Sequence, residues 1–206
     1  MIWQIIRSSA IDIWDEMLYL MIFNIIWLIG LVLIIPWPLV TFGLFFTVYD
    51  IGESKGIGLG KFWDYARRNW KQAYLWGGIN LAVLLIAWSN LIFYARLEAQ
   101  WAGFLQMFII GVSLLWIILQ LITLSIYPRL DQPGLKLALR NAGISMGRYP
   151  LLVFFLVIVV VLILALASFF PIVMLLGAIS IIAVVTNRVV EAVVKKERQR
   201  LEERGA

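Results

Sequence analysis

Side chains able to do acid–base, nucleophilic or metal chemistry are scarce in this sequence, and their types exclude most of it. The 206 residues include no Cys and no His, which removes disulfides, thiol chemistry, imidazole bases and Cys/His zinc sites. Asp12, Asp15 and Glu16 stand close together, but in a segment read as surface, where carboxylates are solvated. No Asp, Glu, Lys or Arg falls deep in any long apolar run, where proton relays, voltage sensors and ion-coupled pumps keep such a group. Asp50, at the end of one run, comes nearest. No catalytic constellation assembles, so the chain is expected to be a non-enzyme with no cofactor and no metal.

Two polar sets remain. Asn24, Asn80, Gln120 and Ser180 fall at similar depths in four apolar runs, ~10–12 Å from the same end. They read either as the lining of an inward polar cavity or as interhelical hydrogen bonds, typically worth ~0.6 kcal/mol each. The cavity reading suits a small facilitator or channel for a neutral polar solute such as a sugar. The second set is the cationic, aromatic stretch 61–72, in which Phe62, Ala66, Trp70 and Tyr74 recur at helical spacing. Its stripe of Phe62, Ala66 and Trp70 is expected in the membrane interface, with Trp63 and Tyr65 at the margins. Lys61, Arg67, Arg68 and Lys71 would then face anionic lipid head groups or another membrane protein complex. The same cations also read as topology-setting charges. Asp64 and Arg68 have the spacing of an exposed helical ion pair.

Apolar helix must position both sets. Hydrophobic residues make up 63% of the chain and charged ones 14%, against roughly a quarter charged in soluble domains, and mean hydropathy is +0.96. The formal charge of +5 sits in short loops between apolar runs, a pattern of membrane topology and head-group contact, so no nucleic-acid partner is expected. No cleavable signal peptide is expected either.

The chain reads as an all-α membrane domain over 1–206. Residues 1–16 form an interfacial helix, with Trp3, Ile6, Ala10, Ile13 and Trp14 on the apolar face and Gln4, Ser8, Asp12, Asp15 and Glu16 on the wet one. Six spans follow at about 17–35, 37–51, 72–94, 101–127, 150–168 and 171–187. Pro36 and Pro38 stop the first. The second reaches only ~22 Å against a ~30 Å hydrocarbon core. Arg96 and Glu98 mark an outer turn. Residues 134–148 give a second basic amphipathic helix, Pro150 opens the fifth span, and Gly177, Ser180 and Ala183 form a small-residue stripe expected to face the bundle. The charged tail 188–206 reads as a solvated helix end, with Glu191–Lys195 and Arg198–Glu202 at pairing distance. The units after residues 51 and 127 resemble each other, through Gly60-Lys61-Phe62 with Arg68-Asn69 and Gly134-Leu135-Lys136 with Arg140-Asn141; duplication and shared composition explain this equally well.

Charge parity argues that the short second run spans. If it does, sixteen of the seventeen Lys and Arg lie on one side, with Arg96 alone opposite. The positive-inside rule then places both termini in the cytoplasm and the protein, multi-pass, in the cytoplasmic membrane.

Residues 20–75 resemble the YesL family of bacterial membrane proteins. The resemblance is carried by Asn24, Pro38-Leu39-Val40-Thr41-Phe42-Gly43, Phe62-Trp63-Asp64-Tyr65 and Asn69-Trp70-Lys71-Gln72-Ala73. It extends to Tyr127-Pro128, 137–142 and the final span, and Leu44 stands where the family often has proline. The resemblance implies a small polytopic protein of unknown biochemical role, often associated with carbohydrate-uptake gene neighbourhoods, with no catalytic residues to carry over. The accessory or assembly role is expected instead from spans without ionisable groups, the missing catalytic set and the cytoplasmic face rich in Trp, Tyr, Arg and Lys. Within the motif, Pro38 and Gly43 would fix the geometry of a short helix and the Thr41 hydroxyl would satisfy a freed carbonyl, while Asp64 and Asn69 would tie the amphipathic helix to its neighbours.

Overall fold

Proline, glycine and asparagine mark most of the breaks between ten α-helices in the computed structural model, which describes residues 1–97 and 99–205. Glu98 of the expected outer turn and Ala206 lie outside them. In order these are α1 (Ile2–Asp15), α2 (Met17–Leu33), α3 (Trp37–Gly52), α4 (Leu59–Arg68), α5 (Trp70–Ala95), α6 (Gln100–Ile126), α7 (Leu135–Arg148), α8 (Pro150–Phe169), α9 (Pro171–Leu176) and α10 (Ala178–Gly205), with a 3-10 turn at Tyr127–Arg129. About 88% of the chain is helical, and no strand occurs among the described residues. Proline opens α8 and α9 and is second in α3, where its missing N–H would be an orphan donor anyway.

The centre of the bundle is α3. Eleven of its 16 residues are buried, and it touches α2, α4, α5, α6 and α10. A helix apolar on all sides belongs in a core, and three glycines let its neighbours close on it. An added Cβ would come within 2.5 Å of Val40 at Gly30 and 2.3 Å of Pro38 at Gly77; at Gly43 it would lie 3.0 Å from the Phe62 carbonyl oxygen. Pro38 and Gly43 therefore mark close approaches of α3 to α5 and to α4. The Thr41 hydroxyl donates to the Trp37 carbonyl at 2.7 Å and accepts from the Trp27 indole at 2.9 Å.

By length and composition three helices can cross a bilayer, Trp70–Ala95, Trp101–Arg129 and Pro150–Phe169. The pair α1 and α2, bent by 86°, makes a fourth if taken as one broken span. Large apolar side chains such as Trp88, Phe104, Phe108, Leu151 and Phe154 stand exposed on α5, α6 and α8, as a hydrocarbon-facing surface requires. The six expected spans are not equally visible by this measure. The α2 helix has 17 residues and α3 has 16, and the last expected span is broken at Gly177 into α9 and α10.

Three faces differ from expectation. The buried side of α1 is Ile5, Ser9 and Asp12, packed against α10, so Asp12 leaves the wet face while Trp3 and Trp14 stay exposed. On α4, Phe62 and Ala66 are buried in the protein and not at an interface; Phe62 stacks on Phe23 with centroids 4.9 Å apart. Trp70 alone of that stripe is exposed. The start of the tail is core as well: Val189, Val190 and Val193 are buried. The stripe of Gly177, Ser180 and Ala183 does face the bundle, as expected.

Candidate functional site

The four mid-depth polar residues separate into two pairs. Asn24 is fully buried on α2 and splints the break between α9 and α10. Its Nδ2 donates to the Met174 carbonyl at 2.7 Å and the Leu175 carbonyl at 3.0 Å, while its Oδ1 accepts the Ile179 and Ser180 N–H groups at 3.1 and 3.4 Å. These are the orphan carbonyls and N–H groups that two helix ends leave. Ser180 completes the junction by donating to the Leu20 carbonyl at 2.9 Å.

Asn80 and Gln120 join α5 to α6 through indoles. Gln120 Oε1 accepts from Trp76 Nε1 at 2.8 Å, Asn80 Oδ1 accepts from Trp116 Nε1 at 3.0 Å, and Asn80 Nδ2 donates to the Trp76 carbonyl at 2.8 Å. This pair borders a cavity of about 270 Å³ whose other walls are indole, phenyl and aliphatic groups and Thr41; Asn24 and Ser180 do not line it. The four side chains thus do not form one polar lining.

Polar chemistry gathers instead where α3, α6 and the loops end, and α10 runs through it. Arg188 grips Asp12 through two bonds, Nε to Oδ2 at 2.5 Å and Nη2 to Oδ1 at 2.6 Å, and donates to Glu191 at 2.6 Å. Glu191 also accepts from Lys195 at 2.6 Å. The hydrogen bonds to Asp12 outweigh burial and raise the Arg188 pKa; burial pushes Glu191 up, but its two cations overcome this and hold it below the usual range. Further along the tail, Glu197 accepts from the Tyr149 hydroxyl and from Arg148 at 2.7 Å, and the Tyr149 bond is the main cause of its lowered pKa.

Arg129 reaches across from the end of α6. It donates to the Ser125 carbonyl and, at 3.4 Å, to the Asn187 carbonyl, and lies over the Tyr49 ring at 4.8 Å. Asp50, buried on α3, accepts from the Tyr65 hydroxyl of α4 at 2.6 Å, with the Lys61 ammonium 3.7 Å away. Burial and this bond push Tyr65 up to about 12. A groove of about 510 Å³ opens here between α3, α7 and α10, lined in part by Tyr49, Arg129, Asn141, Arg148 and Arg198.

Beside it lies the exposed face of α4 and the start of α5. Lys61, Trp63, Arg67, Arg68, Trp70 and Lys71 are all exposed there, as is Asp64. Asp64 and Arg68 do not pair within 4.0 Å; Lys61 instead bonds the Gly56 carbonyl at 2.5 Å. Asn69 donates to the Tyr65 carbonyl at 3.0 Å, so it closes the end of its own helix and not a neighbouring loop.

Sequence reasoning missed Asp12, Arg129, Tyr149, Arg188 and Glu197. One signal was present for Asp12, which shares a helical arc with Ile5 and Ser9. The others also have partners far along the chain, Asp12 with Arg188, Asn187 with Arg129 and Glu197 with Tyr149, and no local pattern announces those. A scan of protein-family models, a search of curated proteins and a search of solved structures each found no match.

Proposed function

We propose that this chain is a non-enzymatic accessory or assembly component of the cytoplasmic membrane, with six inserted helices and both termini in the cytoplasm. Its working surface is the charged end, where α4, α7 and α10 present cations to anionic lipid head groups or to a partner membrane complex. The observation that carries this reading is the exposed set of Lys61, Arg67, Arg68 and Lys71 flanked by exposed Trp63 and Trp70, spread over the start of α5 and over α4, whose other face is held in the core by Phe62 and Ala66. Rigid mounting of cations and indoles suits docking, because little side-chain and backbone freedom is left to lose on binding.

Asn24, Pro38, Thr41 and Gly43, which carry the resemblance to the YesL family, sit at tight contacts in the bundle. The facilitator reading has less to stand on, since Asn24 and Ser180 are engaged at a helix break and Asn80 and Gln120 accept from indoles.

Charge reversal tests the proposal. The Arg67→Glu/Arg68→Glu variant is expected to insert normally yet lose its co-purifying partner, or its anionic lipid, in mild detergent. Full retention of both would end the docking proposal. Solute flux through vesicles containing the purified protein alone would move the assignment to a facilitator.

A further inference from the structure

The cavity beside Asn80 and Gln120 is lined by α5, α6 and α8, the three helices long enough to cross a bilayer, together with α2, α3 and α10. Its volume, about 270 Å³, exceeds the ~150 Å³ at which an apolar cavity already takes benzene. Four indoles wall it, those of Trp27, Trp37, Trp76 and Trp116. Three have acceptors: Trp27 on Thr41 at 2.9 Å, Trp76 on Gln120 at 2.8 Å and Trp116 on Asn80 at 3.0 Å. The buried indole N–H of Trp37 has no partner among the described residues.

Two further features identify an occupant. Leu84, Ile117 and Leu164 line the cavity and are also exposed on the outer surface of α5, α6 and α8, so the cavity opens sideways, toward hydrocarbon in a bilayer. The hairpin of α2 and α3, with 17 and 16 residues, is ~25 Å tall against a ~30 Å core. Its tip, Leu33-Ile34-Ile35, is apolar and exposed. Lipid over so short an element thins locally, which lowers its ester groups toward Trp37 at the start of α3.

We propose that this cavity binds one acyl chain of a membrane phospholipid from the leaflet opposite the charged end, and that the chain's ester carbonyl supplies the acceptor the Trp37 indole lacks. The proposal rests on the membrane reading and is independent of the docking face on α4.

The test is native mass spectrometry of the full chain, reconstituted in phosphatidylglycerol/phosphatidylethanolamine vesicles and re-extracted in nonionic detergent. Wild type retains one phospholipid per chain. Leu164→Trp, which puts an indole in the cavity, cuts the retained fraction about tenfold, an order-of-magnitude expectation. Leu162→Trp, on the exposed side of the same helix, keeps it. Ile117→Trp closes the mouth from α6 and is read in the same way if Leu164→Trp does not fold. A folded wild type without stoichiometric lipid overturns the proposal, as does equal retention in wild type and the cavity variants, or equal loss in Leu162→Trp.

Discussion

Asn24 shows what one uncharged side chain can hold together inside an apolar bundle. It satisfies two carbonyls that end α9 and two N–H groups that begin α10, and water is not there to replace it. At ~0.6 kcal/mol per interhelical hydrogen bond, the four bonds come to roughly 2 kcal/mol. Asn24→Ala is expected to lower unfolding stability in mild detergent by about that amount; a loss under ~0.5 kcal/mol would mean that the break is held by packing. The polarity and depth of Asn24 were legible in the sequence. Its role was not, because the break it serves lies 150 residues away, at Gly177, where a glycine in an apolar run does not by itself end a helix.

The junction of α3 and α4 answers to pH. Tyr65 ionises near 12 in the folded protein against an ordinary 10.0, so the native state favours the neutral phenol that donates to Asp50. The stability this brings is complete below pH 10 and is lost as pH rises through about 12. Alkaline titration of tyrosine absorbance, wild type minus Tyr65→Phe, is expected to show one phenol titrating near 12 when folded and near 10 when unfolded. A difference curve centred near 10 in the folded protein would remove the linkage. Helix existence and most boundaries were legible, because prolines and glycines interrupt the run. What a stripe packs against was not. Phe62 and Ala66 have the period of an interfacial helix, and only the α3 glycine at 43, with Phe23 from α2, turns that face inward. Periodicity reports that a face is apolar; it does not distinguish lipid from protein.

For the molecule as a whole, the proposed topology rests on the separation of cations. In the proposed arrangement sixteen of seventeen Lys and Arg share the cytoplasmic side. With no native Cys, single cysteines report sidedness directly. A Cys at Gly56 is expected to react only with reagent admitted from inside, and one at Arg96 with reagent from outside. The reverse at either position would end the six-span arrangement. Composition alone made the membrane class legible. The short second run was legible as a span only through the parity of charges; that eleven of its 16 residues are buried on contact with five other helices is what the bundle adds.

The clasp between Asp12 and Arg188 also has a meaning in time. Its partners are 176 residues apart, and at ~5–20 residues per second the ribosome needs roughly 10–35 s to make the second after the first. Throughout that interval the nascent chain carries a carboxylate on its first helix with no guanidinium to receive it. A chain truncated before 188 keeps that defect permanently. Because α1 packs mainly against α10, the first helix takes its final seat only once the last has been synthesised.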